Sequence, residues 1–242
     1  MKYLKLFDAE KKYLAYRDSK DYIKPNVSLC DDNGDVYYNF TPPPITYDYV
    51  DLGLPSGTLW ATCNVGARKP TDYGLYFQWG DTIGYEADQV GTGEGQKKFA
   101  EDESDYKFGV YPNYTKYTVT GATLELEDDA AHANMGGDWH MPSPRQCKEL
   151  IDNTTSELSN MYGVGGMKFI SKKDKSKFIF FPLIGYAINS SIHNSGRYGY
   201  IFASTLKRNG YGRVFSFGLG YPYSGNKGLR YYGFSVRGVI GY

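Results

Sequence analysis

Alternation of apolar and polar residues, with little 3.6-residue periodicity, sets the reading of this chain. Tyr49-Val50-Asp51-Leu52 and Thr58-Leu59-Trp60-Ala61-Thr62 read as strands about a Pro55-Ser56-Gly57 turn, and Leu75-Tyr76-Phe77-Gln78-Trp79 as a third. Phe178–Leu183, Tyr200–Leu206, Val214–Phe217 and Phe234–Val239 continue the series, joined by Gly- and Asn-rich turns. Helical signals are confined to the middle. Asp128-Asp129-Ala130-Ala131-His132-Ala133 suits a short helix with acids at its positive end. Ser143 as N-cap and Pro144 at the first helical position open a second helix running to about Asn153. Residues 84–117 are polar, rich in Gly, Asp, Glu and Tyr, and without a period, which predicts a long surface loop. Two short helices between strands, with strands at both ends, predict an α+β domain built on antiparallel sheet.

A smaller pattern precedes this domain. Asp8 can cap a helix to about Arg17, with Tyr13, Leu14 and either Tyr16 or Arg17 at its packing face. Val27–Cys30 and Val36–Tyr38 flank Asp32-Asn33-Gly34-Asp35, a turn that tolerates positive φ, and so predict a β-hairpin. A segment of some 40 residues rarely sustains its own core. Residues 1–40 are therefore expected to be a module that docks on something larger. Thr41-Pro42-Pro43-Pro44 favours an extended spacer. The expected boundaries are a module over 1–40, a linker over 41–46 and the main domain over 47–242.

Charge changes the picture at the C-terminus. The whole chain balances 27 acids with 27 bases, but Lys175–Tyr242 contains no Asp or Glu and nine Lys or Arg. Residues 1–174 thus carry all 27 acids and only 18 bases. The same basic stretch is rich in Tyr, Gly, Asn and Ser, the mixture of rigid amphipathic rings and adaptable polar groups found on recognition surfaces. A Gly-punctuated sheet with its charges facing water would have the same composition. The N-terminus brings lysines and acids before any apolar run of signal-peptide length, so no secretory signal is expected, and no stretch has the length of a membrane span. Cys30, Cys63 and Cys147 are odd in number and widely spaced, which argues against a disulfide framework or a zinc site. Cys147 shares a helical face with Leu150 and Ile151 and is expected to be a packed core thiol.

Few residues carry the marks of catalysis. His132, His140 and His193 have no Ser, Asp or Cys partner at a recognisable spacing. Glu125, Glu127, Asp128 and Asp129 could coordinate a cation such as Ca²⁺, but acids at a helix start explain the group more cheaply. No cofactor is expected. Positive charges interleaved with aromatics suit phosphate contacts and base stacking, yet they are scattered over several strands without a nucleic-acid-binding signature, so no nucleic-acid partner is expected.

Five stretches carry a family resemblance: Tyr49–Ala67, Tyr73–Asp81, Leu124–Pro142, Phe178–Tyr186 and Gly233–Val239. In their order and content they resemble the FISUMP-type domain of gut-bacterial and phage proteins. The resemblance implies a C-type lectin-like fold, distantly related to the formylglycine-generating enzymes. Those enzymes use a cysteine pair near the C-terminal strands, whereas this chain has no cysteine after Cys147, so a non-enzymatic role is implied. The calcium-binding Glu-Pro-Asn and Trp-Asn-Asp motifs of sugar-binding C-type lectins are also missing. Leu4–Phe7, Pro25–Cys30 and Val36–Asn39 resemble the leader preceding virion-associated domains in phages of gut bacteria.

Domains of this group include variable proteins diversified by retroelements, whose C-terminal segment carries the ligand-facing residues. Arg230-Tyr231-Tyr232-Gly233-Phe234-Ser235-Val236-Arg237 matches their closing tail, while Ile201-Phe202-Ala203-Ser204 stands where they have Trp-Ser-Ser. The expected ligand face is Leu206–Tyr232, with Lys207, Arg208, Asn209, Tyr211, Arg213, Tyr221, Tyr223, Asn226, Lys227, Arg230 and Tyr231 as its contact residues. Alternation places Tyr211, Arg213 and Phe215 on one face, and Val214 and Phe217 cannot both lie opposite without a bulge. Arg237 is expected to bond backbone or carboxylate groups such as Asp51 or Asp81.

The role implied is a phage or prophage virion protein, made in the host cytoplasm without a signal peptide. It would present this face to a cell-surface protein or polysaccharide, contact other virion proteins through residues 1–40, and form a homo-oligomer without inserting into a membrane. The alternatives are a structural or decoration protein of the virion, a bacterial surface adhesin, a protein that stays in the cytoplasm, or a formylglycine-generating-like enzyme.

Overall fold

The computed structural model describes residues 27–30, 36–40, 47–100 and 106–241. The chain divides into two units, Met1–Ile45 and Thr46–Tyr242. In the first, β1 (Val27–Cys30) pairs antiparallel with β2 (Val36–Phe40), as the alternation predicts. The expected helix over 8–17, the turn over 31–35 and the spacer over 41–46 lie outside the described residues.

The second unit is α+β, with mostly antiparallel sheets and two α-helices among the described residues. Its largest sheet has five strands in the order β13 (Tyr223–Leu229), β12 (Tyr211–Gly218), β11 (Tyr198–Arg208), β14 (Phe234–Ser235) and β5 (Tyr76–Phe77). The β11–β14 contact is parallel and the other pairings are antiparallel. A second sheet places β15 (Val239–Ile240) beside β4 (Leu59–Ala61) and β3 (Tyr49–Val50), so the two ends of the unit close on each other. A third is a meander of β6 (Thr154–Met161), β7 (Val164–Ser171) and β8 (Phe178–Pro182), and β9 (Tyr186–Ile188) forms a short ribbon with β10 (Ser191–His193). No helix among the described residues is long and apolar enough to cross a membrane.

Both helices start where local chemistry dictates. In α1 (Ala130–Met135) the Asp129 carboxylate accepts the His132 backbone N–H at 2.9 Å and also the Met141 N–H at 2.8 Å. In α2 (Pro144–Asn153) Ser143 and Gln146 exchange bonds in a capping box, with Pro144 at the first helical position. Cys147 and Leu150 of α2 are fully buried among Trp60, Phe169, Phe181, Phe215 and Phe217, as the helical spacing requires. Burial pushes the Cys147 thiol well above the ordinary cysteine value, which leaves it an inert packing group.

Strand β12 keeps its alternation, with an unbroken register against β11 from Gly218 to Val214: Val214 faces one core cluster, Phe215 and Phe217 face the other on the side of Tyr211 and Arg213, and the irregularity against β13 adds a residue to β13 between Tyr223 and Asn226. Two expectations are corrected. The described residues of the 84–117 stretch are irregular apart from a 3-10 turn at Ala87–Gln89, but they bury Phe99, Tyr106, Phe108 and Tyr114 and so carry core of their own. Arg237 is buried, as expected of a structural arginine, yet it meets neither Asp51 nor Asp81. Its guanidinium donates to Asn64 Oδ1 and to the carbonyls of Ala61, Thr62 and Phe180, with the Phe181 ring 4.3 Å away. These bonds lock the closing strand to β4 and β8 and satisfy the buried charge without a counter-ion.

Candidate functional site

The turn between β11 and β12 builds one wall of a cleft of about 540 Å³, lined by Tyr111, Tyr114, Arg208, Asn209, Gly210, Tyr211, Leu229 and Tyr231. Gly210, at φ +81°, reverses the chain, and Arg208 pairs with Tyr211 across the turn. Tyr211 also pairs with Leu229 of β13, which places Leu229 and then Tyr231 on the opposite wall. The third wall, Tyr111 and Tyr114, comes from the irregular segment before α1.

A buried cation fixes that third wall. Arg230 is fully buried, with its guanidinium 4.3 Å from the Tyr114 ring, 5.1 Å from Trp79, 5.4 Å from Phe108 and 5.6 Å from Tyr106. Its Nε donates to Tyr106 Oη, and its two terminal nitrogens donate to the carbonyls of Lys116 and Tyr117. Tyr106 in turn donates to the Trp79 carbonyl at 2.7 Å. Burial pushes the Tyr106 phenol above its ordinary value, and the adjacent Arg230 only partly offsets this. Arg230 is therefore removed from the set of contact residues expected on the ligand face. It supports the cleft from beneath.

The remaining expected residues fall into two groups. Arg208, Asn209, Tyr211 and Tyr231 line the cleft, and Lys207, Arg213 and Lys227 lie beside it on the paired strands. Lys227 Nζ is 5.0 Å and the Arg208 guanidinium 4.5 Å from the Tyr211 ring, so two cations share one aromatic face or edge. Tyr221 and Tyr223, both well exposed, belong to the opposite end of the β12–β13 hairpin: Tyr223 pairs with Ser216, about 17 Å along the strand from Tyr211 at ~3.3 Å per residue, and Tyr221 lies in the connection beyond. The structure does not bring them to the cleft. Asn226 lies between the groups and is spent on the hairpin: its Nδ2 donates to Ser216 Oγ and its Oδ1 accepts the Lys227 N–H.

Tyr111, Tyr114 and Leu229 are cleft residues that sequence reasoning did not name. A signal was present in the aromatic run Tyr106, Phe108, Tyr111, Tyr114, Tyr117, whose density is unusual for a solvated loop.

The acidic group is an ion-pair cluster. Carboxylate oxygens of Glu125, Glu127 and Asp128 lie within 4.8 Å of one another, but Lys116 Nζ sits among them at 2.6, 2.9 and 2.6 Å. Lys107 also bonds Asp128. The ammonium groups occupy the coordination positions that a divalent cation would need. Asp129 is turned away to cap α1. Among the histidines, His132 Nδ1 lies 3.2 Å from the Trp139 carbonyl, both ring nitrogens of His140 lie 3.0 Å from main-chain carbonyls, and His193 stacks on Tyr186.

The site thus offers aromatic surface, a guanidinium, an amide and neighbouring ammonium groups at the end of a rigid sheet, which is equipment for binding. No protein-family model matches this chain, and neither a curated protein nor a solved structure matches it.

Proposed function

We propose that this chain is a non-enzymatic binding protein of a phage or prophage particle, with a C-type lectin-like main domain that offers its cleft to a ligand on the host surface. The observation that carries the reading is the convergence of Arg208, Asn209, Tyr211 and Tyr231, all within the segment 206–232, on one cleft. An exposed Arg208 beside the half-buried Tyr211 and Tyr231 on a rigid support forms the chemistry of binding hot spots. The C-type lectin-like assignment is supported by the resembling sequence stretches and by an α+β domain whose two ends meet in one sheet. In this reading residues 1–40 attach the protein to other virion components, and the particle carries several copies.

The test is adsorption of the purified full chain to a panel of gut bacterial cells. The combined variant Arg208→Ala, Tyr211→Ala, Tyr231→Ala should lose adsorption while retaining the circular dichroism spectrum of the parent. Unchanged adsorption would show the face to be wrong. Electron microscopy of an assembled particle with the cleft buried between subunits would overturn the reading in favour of a decoration role.

A further inference from the structure

Arg213 of β12 stands directly opposite Lys227 of β13. Like charges in that position repel, and sheets usually avoid them. Elsewhere in this unit Lys107, Lys116 and Lys148 pair with carboxylates, and the buried Arg230 and Arg237 donate to carbonyls, a tyrosine hydroxyl and an asparagine. Among the described residues, no carboxylate pairs with Lys207, Arg208, Arg213 or Lys227. Lys227 and Arg208 nonetheless converge on the Tyr211 ring at the cleft mouth. Four cations gathered without a described counter-charge create a positive field suited to an anion.

A second observation narrows the ligand. Asn209, in the cleft wall, has a buried Oδ1 that accepts no hydrogen bond. Such an acceptor costs free energy until a donor reaches it. A third is the apolar surface of four tyrosine rings. A ligand that satisfies all three features has an acidic group, a hydroxyl and a ring with an apolar face.

We infer that the cleft binds an anionic saccharide, a sugar residue carrying a carboxylate or a phosphate; this rests on the reading of residues 206–232 as the ligand face. Arg208 donates to two oxygens of the acid from its planar fork, Lys227 and Arg213 supply the surrounding positive field, the half-buried Asn209 amide turns its shielded Oδ1 outward to accept a sugar hydroxyl, and the pyranose face lies on tyrosine. A volume of about 540 Å³ suits a small ligand. An extended peptide is a poorer occupant. Peptides of that kind draw affinity from open strand edges, and the backbone at Tyr211 is already paired on both sides, with Arg208 and with Leu229.

The experiment is titration calorimetry on the full chain with tetragalacturonate, its methyl ester, mannose 6-phosphate, mannose, an Asp/Glu-rich peptide and oligothymidylate. One of the two charged sugars should bind, its neutral counterpart about tenfold more weakly or not at all, as expected for the loss of a charge-assisted bond. Whichever charged sugar binds distinguishes carboxylate from phosphate. Arg208→Gln and Lys227→Gln should each weaken binding several-fold, added salt should weaken it further, and Lys175→Gln should leave it unchanged. Equal binding of charged and neutral forms, no binding of any sugar, or tighter binding of the peptide or oligonucleotide would overturn the inference. If no sugar binds but the triple variant still loses adsorption to cells, the saccharide is wrong and the face stands. If a charged sugar binds and adsorption survives the triple variant, the cleft is a saccharide site and the host-attachment reading fails.

Discussion

The guanidinium of Arg230 stacks on the ring of Tyr114 at 4.3 Å, and through this contact a fully buried cation holds a wall of an open cleft. Arg230 has backbone bonds to the sheet as well: its carbonyl accepts the Trp79 N–H, and its own N–H donates to the Gly210 carbonyl. Its side chain bonds the Lys116 and Tyr117 carbonyls of the irregular segment. One residue thereby ties the aromatic wall to the turn opposite.

The first prediction concerns this residue. Arg230→Met removes the donors of two main-chain carbonyls and of Tyr106 Oη, and each buried group left unpaired costs about 1–3 kcal/mol. The expected loss is about 3–5 kcal/mol in urea unfolding. Arg230→Lys keeps the charge but not the fork, and should recover less than half of it. A loss below about 1 kcal/mol for Arg230→Met would show that the aromatic box, and not the bonds, holds the wall.

Gly212 provides a second test of the same region. A Cβ built there would lie 2.5 Å from Cδ1 of Trp79, a ring that cannot retreat easily because its Nε1 donates to the Ala203 carbonyl at 2.9 Å. Gly212→Ala should cost about 1–3 kcal/mol by overpacking and weaken ligand binding by displacing β12. Wild-type stability in this variant would mean that Trp79 is freer to move than its packing indicates.

The lysine-filled acidic cluster predicts a pH dependence. Burial raises the Asp128 carboxyl, but bonds from Lys107, Lys116 and Tyr117 outweigh it and hold the pKa below the ordinary aspartate value. A carboxyl with a lower pKa in the folded chain stabilises the fold above its unfolded pKa, and the contribution fades as pH falls through the folded value. Asp128→Asn should therefore cost about 2 kcal/mol near neutrality, and the difference from the parent should close below roughly pH 4. A gap independent of pH would assign the effect to shape, not charge.

Local signals in the sequence found what local chemistry determines. Ser143 and Pro144 marked the start of α2, the spacing of Cys147, Leu150 and Ile151 marked its buried face, and alternation along β12 put Phe215 on the face of Tyr211 and Arg213, opposite Val214. The burial of Arg230 was not legible. Its aromatic box comes from Trp79 and from residues 106–114, more than a hundred positions away, and a cation in an acid-free segment looks solvent-facing. Separation of Tyr221 and Tyr223 from the cleft depends on the length of β12, which residue types alone do not convey. The β6–β7 hairpin escaped for a different reason. Most of β6 is exposed, so no apolar alternation marks it, and its turn is Tyr162-Gly163 in place of the usual Asn-Gly.

That turn yields the last prediction. Met161 pairs with Val164, which leaves Tyr162 and Gly163 as a two-residue loop with φ of +50° and +86°. Positive φ at both positions is natural for Asn-Gly and strained for a tyrosine, whose Cβ crowds the backbone there. Tyr162 is 94% exposed, so replacing it sacrifices almost no packing. Backbone strain outweighs what little the ring contributes, and relieving it should win. Tyr162→Asn is expected to stabilise the chain by about 0.5–1 kcal/mol, a rise of roughly 2 °C in Tm for a domain of this size. A fall in Tm would mean that the exposed ring stabilises the hairpin by more than its backbone strain costs.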